Sequence, residues 1–472
     1  MSSELAFIPA WKLLERINSK DLSPVEITQY FLDRIEQLNP RLNAFLTVCG
    51  EEALTAAKKA EQKLVKGEAT GSLHGLPVPV KDLNVTKGIR TTRGSIAYKD
   101  SVPDEDDIIV ERIKAAGGIV IGKTNTPEFG HRGTTENMIS APCRNPWDTD
   151  RTPGGSSGGA AAALAAGMCS IATGSDGGGS IRIPASFSGL YGIKPTQGRV
   201  ARLYPSPGGW GQFGQNGPLS RNVRDSVLLL SVMAGPDDRD PTCLQELPPN
   251  FNDAFNGDVR GLRIAWSPDY GYLPVDPQVA ACTKAAVGIF QNLGAHVDEV
   301  TPPIPGDTIL ETFLVLFASD NLANNGTLLD TMPDQLTPTY RTMLETARSF
   351  TSDQVMKALH ALEWHRAKMR DFFNQYDLLI SPTMAVPAFP IEQFPDTIGG
   401  HSVDPLWGFT PFTYPIIMSG QSAASIPCGF SKEGLPIGLH IVGPKGAEVA
   451  VLRASLAFEE AMPWAETLPP VS

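Results

Sequence analysis

Residues 262–297 read LRIAWSPDYGYLPVDPQVAACTKAAVGIFQNLGAHV, and this stretch sets the fold class. Leu262–Trp266 is a short apolar run suited to a buried strand. Gln278–Leu293 places its apolar residues at helical spacing, and Val297 begins a second apolar strand after the Gly294 break. Strand, helix and strand in that order form a βαβ unit.

The same alternation recurs in both directions. Upstream, Ile108–Ala116, the Gly117-Gly118 turn and Ile119–Ile121 read as helix, turn and strand, and Val223–Ala234 reads as helix. Residues 1–70 read as helical: Ser23 is an N-cap, Pro24 takes the first helical position, and Ile27, Phe31, Ile35 and Leu38 keep the spacing. An Ala- and Lys-rich helix covers 51–66, and the strand Leu76–Val80 leads into Lys81-Asp82. Downstream, 308–375 is mostly helical. Leu378–Ser381, Ala424–Gly429 and Pro436–Val442 read as strands, and 447–462 as the last helix. The expectation is an α/β fold with a mixed central β-sheet covered by helices on both faces. A single large domain, 1–472, would hold a helical N-terminal segment (1–70), a catalytic core (71–235) and a pocket-forming C-terminal part (236–472).

With 472 residues, 42% of them hydrophobic and 19% charged, the chain can bury a sizeable core. The net charge of −12, with no long Lys/Arg run, argues against nucleic acid as a partner. Six cysteines without a C-x-x-C pair argue against a disulfide framework or a zinc site and favour buried thiols in a reducing compartment. The N-terminus breaks its apolar run with Lys and Glu, unlike a signal peptide. No run of about 18 apolar residues offers a membrane span. The expectation is a soluble, cytoplasmic protein, monomer or homodimer, without metal or cofactor.

Two motifs mislead. Gly117-Gly118-Ile119-Val120-Ile121-Gly122-Lys123-Thr124 matches the P-loop pattern, but its middle is itself a strand pattern and no helix opens at Lys123. Gly155-Ser156-Ser157-Gly158-Gly159 matches the nucleophile elbow of α/β-hydrolases. That elbow needs a strand before it, and Arg151-Thr152-Pro153-Gly154 is not one. His360, His365 and His440 would be the partner histidines, and each sits in a segment that reads as plain helix or strand.

Three features carry the chemistry. Ser180 follows three glycines in DGGGSIR (176–182), which free the backbone to aim its N–H groups at one point, as an oxyanion hole requires. A Gly/Ser linker is the alternative, although Ile181, Ile183 and Pro184 return at once to apolar structure. Lys81 ends an apolar strand, where burial would make it a neutral base, or from which it would reach out to solvent. Adjacent strand residues point to opposite faces, so Asp82 turns away from it. Ser156 supplies a hydroxyl that donates and accepts at once, able to pass a proton between Ser180 and Lys81, while Ser157 suits an N-cap for the Ala-rich run after it.

With Lys81 in PVKD, GGSSGG at 154–159, DGGGSIRIPAS at 176–186 and GIKPT at 192–196, the sequence resembles the amidase signature enzymes. The separation of the two serines, 180 − 156 = 24 residues, is also similar. The resemblance covers about 70–235 and extends to the first two helices and to SGQSAASIP and GLPIGLHIVGP at 419–444. It implies a Ser–cis-Ser–Lys triad: Ser180 the acyl-forming nucleophile, Ser156 the relay behind a cis peptide bond, and Lys81 the base. It implies an oxyanion hole from the N–H groups of Gly177, Gly178, Gly179 and Ser180. It also implies a pocket lined by 130–137, with Gly130, His131 and Asn137 as substrate-binding candidates.

Two departures stand out. Ser175 replaces a common threonine and keeps the hydroxyl, and Gly177 is smaller than the usual residue there. The likeness is greatest to aryl acylamidases and nylon-oligomer hydrolases, with the A-type subunit of glutamyl-tRNA amidotransferase second. The run ARLYPSPGGWGQFGQNGPLS (201–220) departs from that subunit. Residues 384–415 hold Phe389, Phe394, Trp407, Phe409, Phe412 and Tyr414, and read equally as a pocket wall, a lid or a loop packed on the core. The expected activity is hydrolysis of aryl or alkyl amides, with carbamates and esters open to the same acyl-enzyme chemistry.

Overall fold

The computed structural model describes residues 5–203 and 213–472. In the run 201–220, residues 204–212 therefore lie outside the described residues. In chain order the strands are β1 (Phe45–Val48), β2 (Pro77–Lys81), β3 (Ile119–Thr124), β4 (Ile171–Asp176), β5 (Tyr191–Lys194), β6 (Gln215–Ser220), β7 (Arg263–Trp266), β8 (His296–Glu299), β9 (Leu378–Pro382), β10 (Thr397–Ile398), β11 (His401–Ser402), β12 (Ala423–Phe430) and β13 (Pro436–Val442).

Eight of them form one mixed sheet in the order β4-β6-β5-β12-β13-β9-β7-β8, and β1-β3-β2 form a second, smaller sheet. β7 and β8 are parallel neighbours, Ile264 opposite Val297, joined by the helix Pro277–Asn292. Asp276 caps that helix through the Gln278 N–H, and Pro277 takes its first position. The βαβ unit is thus as expected, at the edge of the large sheet.

Strand alternation explains the helices on both faces. Leu378, Ile380, Ala424, Ile426, Leu439 and Ile441 face the apolar cluster that includes Val287, Phe290, Leu452 and Phe458. Their neighbours Leu379, Ala423 and Val442 face the opposite cluster, with Phe313, Leu362 and Ile416. Each face of the strands is therefore covered by its own set of helices.

The N-terminal segment is not helical throughout. Ser23 and Glu26 close a capping box on the helix Pro24–Leu42, but Phe45–Val48 then forms β1, antiparallel to β3. Asn43, at φ 50°, ends the helix in the left-handed conformation and turns the chain into the strand. A four-residue strand between two amphipathic helices has too little pattern to be read alone. β3 runs on through Lys123 and Thr124, parallel to β2, so the P-loop look-alike is a continuous buried strand. No helix among the described residues is long and apolar enough to cross a membrane.

Residues 384–415 divide their aromatics between two packing roles. Phe389, Phe394 and Phe409 pack together with Phe187, and Phe412 packs edge-on to Tyr270. Trp407 instead lines a cavity.

Candidate active site

β2 delivers Lys81 as its last residue, fully buried. Its own N–H donates to Thr173 Oγ1 at 2.9 Å, tying β2 to β4. The side chain ends among hydroxyls. Nζ lies 2.8 Å from Ser156 Oγ, 2.8 Å from Ser157 Oγ and 3.0 Å from Ser175 Oγ, with the Ser175 carbonyl at 3.4 Å. Burial drives the Lys81 amine well below its ordinary basicity, and the field of Asp176 opposes that only in part. Asp82 points the other way, its carboxylate accepting from Thr92 N–H at 3.0 Å and Thr92 Oγ1 at 2.5 Å.

The hydroxyl protons can be assigned. Ser157 Oγ is 3.3 Å from the Ser175 carbonyl, its only carbonyl acceptor among the described residues, so its proton goes there. It accepts from the Ser175 N–H at 3.3 Å and from Lys81. Ser156 Oγ has no carbonyl to bind among the described residues. Ser175 Oγ has none either, so a neutral Lys81 can donate to Ser157 and take a proton on its lone pair from Ser156 or Ser175. Ser157 holds the N-cap position of the helix Gly158–Ala165 without a side-chain capping bond. The expected capping role is therefore corrected: the lysine has taken the hydroxyl. The Gly155–Ser156 peptide bond is cis.

The turn between β4 and the helix Arg182–Ser188 carries Ser180. Its scaffold is the fully buried pair Asp176–Arg182, with Nε to Oδ2 and Nη2 to Oδ1 both at 2.9 Å. Burial alone would raise Asp176, but Arg182 and then Lys194 hold its carboxyl below the ordinary range. The same carboxylate accepts from Gly179 N–H at 2.7 Å and Ile181 N–H at 3.2 Å. The Ser180 carbonyl accepts from Ser157 N–H at 3.2 Å, joining the two serine loops. Gly179 has φ +136°, and a Cβ there would sit on Thr413 Oγ1, which itself donates to the Gly178 carbonyl at 2.6 Å. The amides of Gly177, Gly178 and Ser180 have no acceptor among the described residues, whereas that of Gly179 is taken by Asp176.

The pocket candidates separate. Gly130 has φ +72°, and a Cβ on it would stand 3.2 Å from Ser156 Oγ, so glycine lets this loop close on Ser156. His131 lines a cavity of about 430 Å³ with Leu314, Phe317, Met343, Leu406 and Trp407. Its Nδ1 lies 2.7 Å from the Glu128 carbonyl and must donate, so Nε2, 2.9 Å from Thr339 Oγ1, accepts. Burial, then the Arg132 charge, pushes its pKa down to about 3, so it is a neutral wall residue rather than a base. Asn137 does not reach the cavity. Its amide donates to Asn125 Oδ1 and the Thr126 carbonyl and accepts from the N–H groups of Ile139 and Ser140, which fixes the loop.

Sequence reasoning misses Thr173, Thr413 and Phe313, whose ring would meet a Cβ on Gly178 at 3.1 Å and so closes on the turn before Ser180. Thr173 and Ser175 carry a signal: two hydroxyls at i and i+2 share one strand face, here the face toward Lys81. Phe313 and Thr413 come from distant parts of the chain and carry none.

A family model described as amidase matches residues 26–452. The chain is 36% identical to an acylamidase of Rhodococcus erythropolis, covering 98% of each. It is 37% identical to the A-type subunit of glutamyl-tRNA(Gln) amidotransferase from Moorella thermoacetica, covering 97% of each. Its fold superposes on the crystal structure of a bacterial aryl acylamidase with a TM-score of 0.93, at 33% identity and 98% coverage of both chains.

Proposed function

The chain belongs to the amidase signature family, hydrolases of carbon–nitrogen bonds, and we propose that it cleaves aryl and alkyl amides through an acyl-enzyme on Ser180. The observation that carries this reading is Lys81 Nζ, buried and stripped of basicity, 2.8 Å from Ser156 Oγ.

Ser180 Oγ attacks the amide carbonyl while its proton passes to Ser156 Oγ, and the proton of Ser156 passes to Lys81 Nζ. The carbonyl oxygen, now negative, accepts from the N–H groups of Gly177, Gly178 and Ser180. Gly179 drops out of that set, because its N–H is already bound to Asp176. Lysinium returns its proton through Ser156 to the leaving amine, the C–N bond breaks, and the acyl group stays on Ser180. Water then attacks the ester, losing its proton to the same relay; the relay returns it to Ser180 Oγ as the acyl–oxygen bond breaks, and the carboxylic acid leaves.

The wall of the cavity supports an apolar substituent. Trp407 lines it, and that ring stands 3.2 Å from the Cβ position of Gly178 in the nucleophile turn. The hydroxyls of Thr339 and Thr346 are bonded to His131 and the Thr342 carbonyl, which leaves their methyl groups as wall. Arg132 is paired with Glu136 at 2.7 Å, and Asp404 accepts from the N–H groups of Leu406 and Trp407. Both charges are thereby occupied, so a neutral aryl or alkyl group fits there better than an ion. Carbamates and esters are further substrates of the same chemistry.

A side-by-side assay of an anilide, an aryl carbamate, an ester and a primary amide tests the reading, with Ser180→Ala as control. Release of aniline, abolished in the control, is expected. Turnover of the primary amide alone would end the aryl preference. The similarity to the amidotransferase subunit keeps a second reading, in which the chain is an A-type subunit of a glutamyl-tRNA amidotransferase and needs a partner subunit. Efficient anilide cleavage by the chain alone counts against it.

A further inference from the structure

We propose that His440 is a positioning residue for the nucleophile, acting through Arg182 and Asp176. The inference rests on Ser180 being that nucleophile. His440 lies in β13, opposite Ser425 of β12 and Ser381 of β9, and is fully buried. Its Nε2 is 3.0 Å from Arg182 Nη1. A guanidinium only donates, so Nε2 must carry the lone pair and the proton must sit on Nδ1. Nδ1 has no partner among the described residues, although it is buried. An orphaned buried N–H is unfavourable, and it is borne here so that the other nitrogen can accept from Arg182.

Arg182 is then held at three nitrogens: Nε and Nη2 on Asp176, Nη1 on His440. Two contacts fix the guanidinium to the carboxylate at the end of β4, and the third ties the pair across the large sheet to β13. Asp176 passes this on, because its oxygens bind the N–H groups of Gly179 and Ile181, the two residues flanking Ser180. The turn, already anchored at the end of β4 and by Ser157 and Thr413, is thereby tied to β13 through one imidazole. Burial, then the charges of Arg182 and Lys194, keeps His440 neutral. The imidazole transfers no proton in the reaction; it supplies an acceptor at a fixed place.

Packing alone would make the same residue buried, and the two roles separate by substitution. Leucine fills the space without an acceptor, while glutamine carries an amide oxygen that can reach Arg182. Three quantities are read with an anilide and a sulfonyl fluoride: kcat normalised to titrated active sites, KM, and the rate of Ser180 labelling. For His440→Leu, kcat and the labelling rate should fall about 10- to 100-fold with KM little changed, the scale of a misplaced reacting group. His440→Gln should return both to within about five-fold of the parent, since the acceptor is restored. If Leu does not fold, His440→Asn, whose amide is too short, takes its place with the same expectation. Nitrogen NMR of the seven histidines, with His440 identified by its loss in the Gln variant, should show it neutral and protonated on Nδ1. An unprotonated Nδ1, or equal rates per active site in Leu and Gln, overturns the proposal. Absence of any Ser180 label in the parent instead removes the nucleophile assignment beneath it.

Discussion

Lys81 and Lys123 are both fully buried, on neighbouring parallel strands one register step apart, yet they differ in what their amines meet. Lys123 Nζ donates to the Asn84 carbonyl, to Thr86 Oγ1 at 2.7 Å and to Thr91 Oγ1 at 3.1 Å. Those threonine hydroxyls already place their protons on the carbonyls of Asn84 and Ile89. These three neighbours of Lys123 can only accept, which favours an ammonium. Burial lowers it, and Asp82 offsets that, leaving it at about 8. Lys81 meets two hydroxyls, those of Ser156 and Ser175, whose protons no carbonyl takes among the described residues, and the opposing charge in its field is Asp176, already paired with Arg182. Burial is common to both lysines; a base needs a neighbour able to give it a proton.

Lys81→Ala should lower kcat/KM by on the order of 10⁴-fold or more, whereas Lys123→Met should stay within about ten-fold of the parent. Equal losses from two folded variants would erase the distinction. Ser156→Ala removes the relay and should cost about 10² to 10⁴ in kcat. Ser157→Ala, which removes an acceptor for Lys81 and the bonds to the Ser175 backbone, should cost less, and the reverse order would move the relay to Ser157.

Stability should invert the ranking. Lys123→Met removes a buried donor to the Asn84 carbonyl and the Thr86 and Thr91 hydroxyls, and a charge whose field favours the Asp82 carboxylate, and should cost about 2 kcal/mol in urea denaturation. Lys81→Met removes an amine that is already neutral and should cost less. The smallest effect is on pH. Lys123 and Lys194, lowered to about 8 and about 7, bind fewer protons folded than unfolded above those values. Stability should therefore gain from them as pH rises from about 7 toward 9, until unfolded thiols begin to ionise while Cys49 and Cys169, raised by burial to about 12, do not. A falling midpoint in urea across that window would mean these lysines stay charged when buried.

The comparison also locates what the sequence could reveal. Capping at Ser23-Pro24 and the unit 262–297 were legible because each is local, resting on caps and periodicity. The strand nature of 119–124 was legible enough to reject phosphate binding, because Ile119–Ile121 needs no partner to be read. β4, the strand that ends in Asp176, was not, since IATGSD holds too few branched or aromatic residues to signal a strand. Lys81 and Ser180 each kept a bland alternative, and Ser156 could be offered as a link between them only on the chemistry of its hydroxyl, because adjacency across 75 residues of chain cannot be seen in a pattern. The three pocket candidates carried over from that resemblance fared unequally. Gly130 stands against Ser156 and His131 lines the cavity, while Asn137 is absorbed by its own loop.

The central claim, that Lys81 is the base for Ser180, is tested most directly by sulfonyl fluoride labelling read by mass spectrometry in the parent, Lys81→Ala and Lys123→Met. The account predicts a label on Ser180 that forms faster as pH rises from acid to mildly alkaline, persists in Lys123→Met and vanishes in Lys81→Ala. Labelling of Ser180 at the parental rate in Lys81→Ala, or labelling of Ser157 instead, would contradict it.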